Sequence, residues 1–147
     1  MQKEIIQVLG EIIPLLNEAD PRWTVFGSAA LCLCGVPGIH VHDIDILMSR
    51  QGALRAEKFL SAYLLETDDG EGSHFRSHRS IYKVKGWEID ISGALECRQG
   101  DKWTPVGVQR VEVRQRVRYA SLLDCMQLLK LFGRPKDLQR LDDLLRI

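Results

Sequence analysis

The segment Asp43-Ile44-Asp45-Ile46-Leu47-Met48 constrains this chain more than any other. It alternates acid with aliphatic residue and then turns wholly apolar, a period of two that fits a strand rather than a helix. Residues at i and i+2 of a strand point to one face, about 6 to 7 Å apart. Asp43 and Asp45 therefore share a face, while Ile44 and Ile46 share the other. Such a strand begins at the border of a cleft and runs into a core.

The rest of the chain supplies the elements around it. Ile5, Leu9, Ile12, Ile13 and Leu16 recur at helical spacing and predict an amphipathic opening helix, which Pro14 should kink or shorten. After the Asp20-Pro21 turn, the β-prone run Trp23-Thr24-Val25-Phe26 stops at Gly27-Ser28 and helical character resumes over 29–33: strand, tight turn, helix. A second amphipathic helix is expected over 53–65, and the run TDDGEGS at 67–73 has the composition of a mobile loop. Lys85-Gly86 separates two alternating runs, 80–84 and 87–92, as the turn of a hairpin. Alternation over 107–118 predicts a further strand pair or one long edge strand.

Ser121 with Asp124 approximates a capping box for a helix carrying Leu122, Met126, Leu129 and Phe132 up to Gly133. Pro135 suits the first turn of a last helix, expected to bury Leu138, Leu141 and Leu144 or Leu145. This order predicts an α+β (α/β mixed sheet) fold, with a central mixed β-sheet, helices mainly on one face and helices at the C-terminus.

A length of 147 residues suits one domain spanning 1–147, and 45% hydrophobic with 27% charged residues is the balance of a soluble globular protein. Lys plus Arg and Asp plus Glu both number 20, so the overall basic footprint of a general nucleic-acid binder is missing and long nucleic acid is not an expected partner. Arg110, Arg114, Arg116 and Arg118, followed by Arg134 and Lys136, form either a local anion-binding face or a solvated strand face. Cys32, Cys34, Cys97 and Cys125 have no zinc-site spacing and read as reduced core thiols. The N-terminal MQKEIIQVLGEII interrupts its apolar run with acids and matches neither a signal peptide nor an anchor, so a cytoplasmic location away from membranes is expected.

A third acid completes a pattern. Asp90 in Glu88-Ile89-Asp90-Ile91 repeats the alternation of the first strand, and a neighbouring strand could bring it to Asp43 and Asp45. Three carboxylates gathered together repel unless cations sit between them, and hard oxygen donors of this kind suit Mg²⁺ bridging to substrate phosphates. The Gly27-Ser28 turn offers backbone N–H groups at a strand-to-helix junction, where phosphate binds well.

Gly27-Ser28, then Asp43-x-Asp45, then Asp90 resembles the signature of the DNA polymerase beta-like nucleotidyltransferases. The stretch Gly133-Arg134-Pro135-Lys136-Asp137-Leu138, with Asp142 and Leu145 after it, resembles the tail of small bacterial members similar to aminoglycoside and lincosamide nucleotidyltransferases. The resemblance implies a nucleotidyltransferase-like fold and assigns the two metal ions to Asp43, Asp45 and Asp90, with Asp90 also helping to activate the acceptor hydroxyl. Gly27 and Ser28 would hold the triphosphate, with Lys130 and Lys136 as candidate contacts and Arg134 as a further one.

The implied reaction is Mg²⁺-dependent transfer of a nucleoside monophosphate, AMP above all, from a nucleoside triphosphate such as ATP to a hydroxyl of a small molecule or protein, with Mn²⁺ able to replace Mg²⁺. Two other readings stay open: an antitoxin-like module acting on a toxin-like partner, and a non-catalytic nucleotide sensor. A homodimer stays open as well. His40 and His42 read as polar loop residues rather than ligands. His74, Arg76, His78 and Arg79 form a basic cluster that either meets the nucleotide or acceptor or is solvated. Trp23, Trp87 and Trp103 read as core or sheet-face aromatics.

Overall fold

In the computed structural model, which describes residues 1–147, the acid–aliphatic segment becomes an interior strand. The elements in order are α1 (Gln2–Ala19), β1 (Thr24–Phe26), α2 (Gly27–Leu33), β2 (Asp43–Met48), α3 (Arg50–Phe59), β3 (Leu64–Glu71), β4 (Phe75–Val84), β5 (Trp87–Gln99), β6 (Lys102–Pro105), β7 (Val111–Arg114), β8 (Val117–Ala120), α4 (Leu122–Phe132) and α5 (Pro135–Leu145). The strands form one mixed sheet in the order β3-β4-β5-β2-β1-β8-β7, with β6 added to β5. The β2–β5 and β1–β8 pairs are parallel and the others antiparallel. This is the mixed α/β architecture that the pattern of elements predicts.

The period of two sorts β2 as expected: Ile44, Ile46 and Met48 are buried, while Asp43, Asp45 and Leu47 are half-buried on the opposite face. Ile89 and Ile91 stand beside Ile44 and Ile46 in register. All four join the main core with Ile5, Leu9, Ile12 and Leu16 of α1 and Ala53 and Ala56 of α3. Gly93 of β5 lets α3 approach this closely, since a Cβ there would stand 2.6 Å from the Ala53 Cβ. A smaller cluster of Phe26, Leu95, Cys97, Leu128 and Phe132 seats α4.

Several expectations need correction. Helix α1 continues through Pro14, because buried Ile12, Ile13, Leu16 and Ala19 on either side hold it against the core. The second helix starts at Arg50, where the Ser49 hydroxyl accepts the Gly52 N–H, and ends at Phe59 ahead of a 3-10 turn at Ser61–Tyr63. The run at 67–73 is mostly strand: Thr67, Asp69 and Glu71 pair with Ser80, His78 and Arg76. An open β4 edge offers backbone partners that outweigh turn composition, and the exposed acids suit an edge strand.

The hairpin turns at Lys85-Gly86 as expected, but its arms reach back to Phe75 and on to Gln99. The region 107–118 resolves into the β7–β8 pair, and β8 is interior because it also pairs with β1. The last helix fully buries only Asp137: Leu138 and Leu145 are exposed, Leu141 is half-buried, and Leu144 is half-buried against the main core, because α5 rides chiefly on α4 at the periphery. All four cysteines are free, with Cys34 half-buried and the others buried. No helix is long and apolar enough to cross a membrane.

Candidate active site

Register brings the three sequence-predicted acids to one place. On the parallel strands β2 and β5, Asp43 stands opposite Glu88 and Asp45 opposite Asp90. Carboxylate oxygens of Asp43, Glu88 and Asp90 lie within 4.8 Å of one another. Antiparallel pairing puts Phe26, the last residue of β1, opposite Asp45, so the Gly27-Ser28 turn leaves the sheet beside that carboxylate. Gly27 has φ +72°, and a Cβ there would come 3.2 Å from Asp45 Oδ2. Glycine thus satisfies both a left-handed backbone and a close approach.

The electrostatics show what this crowding costs. Burial, then the charges of Asp43 and Asp90, push the Asp45 carboxyl up to about 7. Burial and Asp90 raise Asp43 as well, with Arg79 and His42 opposing, and burial followed by Asp90 raises Glu88. The Arg79 guanidinium donates to Asp90 Oδ2 at 2.9 Å, while Asp90 Oδ1 is buried without any hydrogen-bond partner. A buried, partnerless carboxylate oxygen among carboxylates held toward protonation is what a hard divalent cation would relieve. The all-oxygen donor set fits Mg²⁺ or Mn²⁺.

A cavity of about 500 Å³ opens on this cluster. Gly27, Ser28, Asp45, Asp90 and Arg79 line the sheet side, and Leu128, Leu129 and Phe132 of α4 with Arg134, Lys136 and Arg140 line the other. Phe75 meets Phe132 edge-to-face at 4.9 Å, and the Arg134 guanidinium lies 4.9 Å from the Phe75 ring centre. Arg134 is bound to Asp137, with Nε to Oδ2 at 2.6 Å, whereas Lys136 and Arg140 make no ion pair. Lys136 therefore stands at the cavity, and Lys130 is exposed on α4 away from its lining.

Within the basic cluster only Arg79 reaches the carboxylates. Arg76 pairs with Glu96 and Glu71, His74 Nε2 bonds to the Phe132 carbonyl, and His78 lies between Glu57 and Asp69. The β7–β8 arginines line no part of the cavity: Arg114 donates to Gln2 and to the Leu33 carbonyl, and Arg118 to the Trp23 carbonyl. His40 and His42 pack edge-on before β2. Trp23 is core, whereas Trp103 lies under Arg76 and Arg98.

Two site residues escaped the sequence reading. Glu88 repeats with Asp90 the i, i+2 spacing of Asp43 and Asp45, so its signal was present. Arg140 follows Lys136 by four positions, one helical turn along the same face.

With this geometry in hand, the likeness to solved structures is informative. The chain is similar over 99% of its length to TM1012, a proposed nucleotidyltransferase from Thermotoga maritima, covering 95% of that chain at 25% identity and a TM-score of 0.76. More distant are JHP933 from Helicobacter pylori, at 19% identity and a TM-score of 0.47, and a proposed nucleotidyltransferase from H. pylori, at 17% and 0.44. This chain spans 66% and 57% of those two. No family model matches the sequence, and no curated protein matches it. The fold is nucleotidyltransferase-like, and its likeness to TM1012 supports the nucleotidyltransferase superfamily.

Proposed function

We propose that this chain is a Mg²⁺-dependent nucleotidyltransferase that moves a nucleoside monophosphate, AMP above all, from a nucleoside triphosphate to a hydroxyl of a small molecule or protein. The observation that carries the reading is the alignment of Asp45 with Asp90, whose Oδ1 lacks a partner, against the Gly27-Ser28 turn at the mouth of one cavity. Asp43, Asp45 and Asp90 would hold two Mg²⁺ ions, or Mn²⁺ in their place, with Glu88 at the outer edge. Bound there, the metal would neutralise triphosphate charge and favour ionisation of the acceptor hydroxyl.

The chain's own groups do the rest. Gly27 and Ser28 would offer backbone N–H groups and a hydroxyl to the triphosphate, with Lys136 and Arg140 balancing its charge from α5. Asp90, oriented by Arg79, would direct the acceptor hydroxyl to the α-phosphorus and take its proton on the unpartnered Oδ1. The new bond forms from that oxygen to the α-phosphorus as the bond to the β-bridging oxygen breaks and pyrophosphate departs. Positioning and charge stabilisation account for most of such a rate. Phe75, Phe132 and Leu128 give the cavity an apolar wall for the base or the acceptor.

Calorimetric titration of ATP and GTP with Mg²⁺, on the parent and on Asp43→Asn with Asp45→Asn, tests this reading. Metal-dependent binding in the parent that vanishes in the double variant is expected, and no binding in the parent would sink it. A second reading, a module acting by contact on a toxin-like partner, draws on the exposed Leu123, Leu138, Leu145 and Ile147. Co-purification of one stoichiometric partner from the native host, without Mg²⁺-dependent nucleotide binding, would favour it.

A further inference from the structure

Cys34 and Cys125 stand apart from the carboxylates, yet Cys125 forms part of the cavity wall. Cys34 caps the C-terminus of α2 and is half-buried; Cys125 lies in the first turns of α4 and is 3% exposed. Their sulfurs meet at one carbonyl oxygen, that of Ala120, with Cys34 Sγ at 3.5 Å and Cys125 Sγ at 3.7 Å.

That contact makes the partners unequal. The neighbouring Cys125 thiol holds the Cys34 thiol below its ordinary range, against burial and the Glu112 charge. The neighbouring Cys34 sulfur, then burial, pushes Cys125 up. Burial raises the thiols of Cys32 and Cys97 as well. A half-exposed thiol inclined to ionise, sharing one carbonyl oxygen with a buried thiol that keeps its proton, has the arrangement of an attacking and resolving pair.

We propose that Cys34 and Cys125 form a reversible dithiol–disulfide site that tethers α2 to α4 beside the cavity, with Cys34 as the attacking sulfur and a small-molecule disulfide as the oxidant. Cys34 thiolate attacks one sulfur of the oxidant RSSR, forming a Cys34–SR bond as RS⁻ leaves. Cys125, losing its proton, then attacks the Cys34 sulfur and releases the second RS⁻. The two thiol protons end on two RSH molecules, the protein pair is oxidised by two electrons and RSSR is reduced by two. The bond joins the far end of α2, whose near end is the Gly27-Ser28 turn, to the helix that supplies Leu128, Leu129 and Phe132 to the opposite wall.

The test treats the native full chain with oxidised glutathione, alkylates the remaining thiols with iodoacetamide and maps peptides by mass. The expected product joins Cys34 to Cys125 with loss of two hydrogens, leaving Cys32 and Cys97 alkylatable. Cys125→Ser should stop at a glutathione adduct on Cys34, and Cys34→Ser should leave Cys125 without an adduct. Because the bond closes a long loop, the melting temperature of the oxidised parent should rise by several degrees and return with dithiothreitol. A parent that gains only a Cys34 adduct, a bond to Cys32 or Cys97, no oxidation, or a disulfide that leaves the melting temperature unchanged overturns the proposal.

Discussion

Asp45 carries the largest electrostatic load of the candidate site, since its carboxyl is pushed up to about 7 by burial and then by Asp43 and Asp90. A raised carboxyl pKa favours the protonated folded state, so the cost is absent below the unfolded pKa of about 4 and grows as pH rises toward 7. At about 1.4 kcal/mol per pKa unit the cost reaches up to about 4 kcal/mol. With chelator present, Asp45→Asn is therefore expected to be more stable than the parent at pH 8, and the gain should fade by pH 4.5. Urea unfolding at both pH values checks this, and a gain independent of pH would contradict it. At Gly27, φ +72° and the 3.2 Å approach to Asp45 Oδ2 mean that Gly27→Ala should lose about 1 to 2 kcal/mol to backbone strain. It should also weaken Mg²⁺–ATP binding, measured by calorimetry on the folded variant.

Between elements, two contacts decide how α3 meets the sheet. Gly93 lies under α3 with Ala53 Cβ, Arg50 Cα and the His78 carbonyl oxygen all close to where a Cβ would sit. None of these is the end of a flexible side chain, so Gly93→Ala should cost about 1 to 3 kcal/mol, seen as a lower urea midpoint. The other contact is ionic: His78 of β4 lies between Glu57 of α3 and Asp69 of β3, and Arg50 of α3 also reaches Asp69. Burial alone would lower His78, but hydrogen bonds and charge from Glu57 and Asp69 prevail and raise it. A raised histidine contributes stability fully below its unfolded pKa of about 6.5 and loses it as pH rises through the folded value. His78→Gln should thus cost about 1 to 2 kcal/mol at pH 5.5 and less at pH 9; an equal loss at both would remove the ionic role.

At the scale of the whole molecule, one main core runs from α1 through β1, β2 and β5 to β8, and calorimetric unfolding should show one transition whose van't Hoff and calorimetric enthalpies agree. Two separated transitions would refute the expectation of a single domain over 1–147. Local pattern was enough to find much of this architecture. The period of two in 43–48 and 87–92, the helical stripe of α1 and the Gly27-Ser28 and Gly133 stops are written in neighbouring residues, because strand, helix and turn geometry are properties of a few consecutive dihedrals. The same locality placed Asp43, Asp45 and Asp90 on strands. What the sequence left open depends on which strands become neighbours. Residues 67–71 pair only because β4 offers an edge, β8 lies inside the sheet because β1 has a free side, and Glu88 joins Asp43 through the parallel β2–β5 register. Arg79 reaches Asp90 across the β4–β5 pair, and the lay of α5 sends Lys136 and Arg140 to the cavity while Leu138 and Leu145 face water. Each of these rests on contacts between distant parts of the chain, whose energies no short window contains, and so only the tertiary structure decided them.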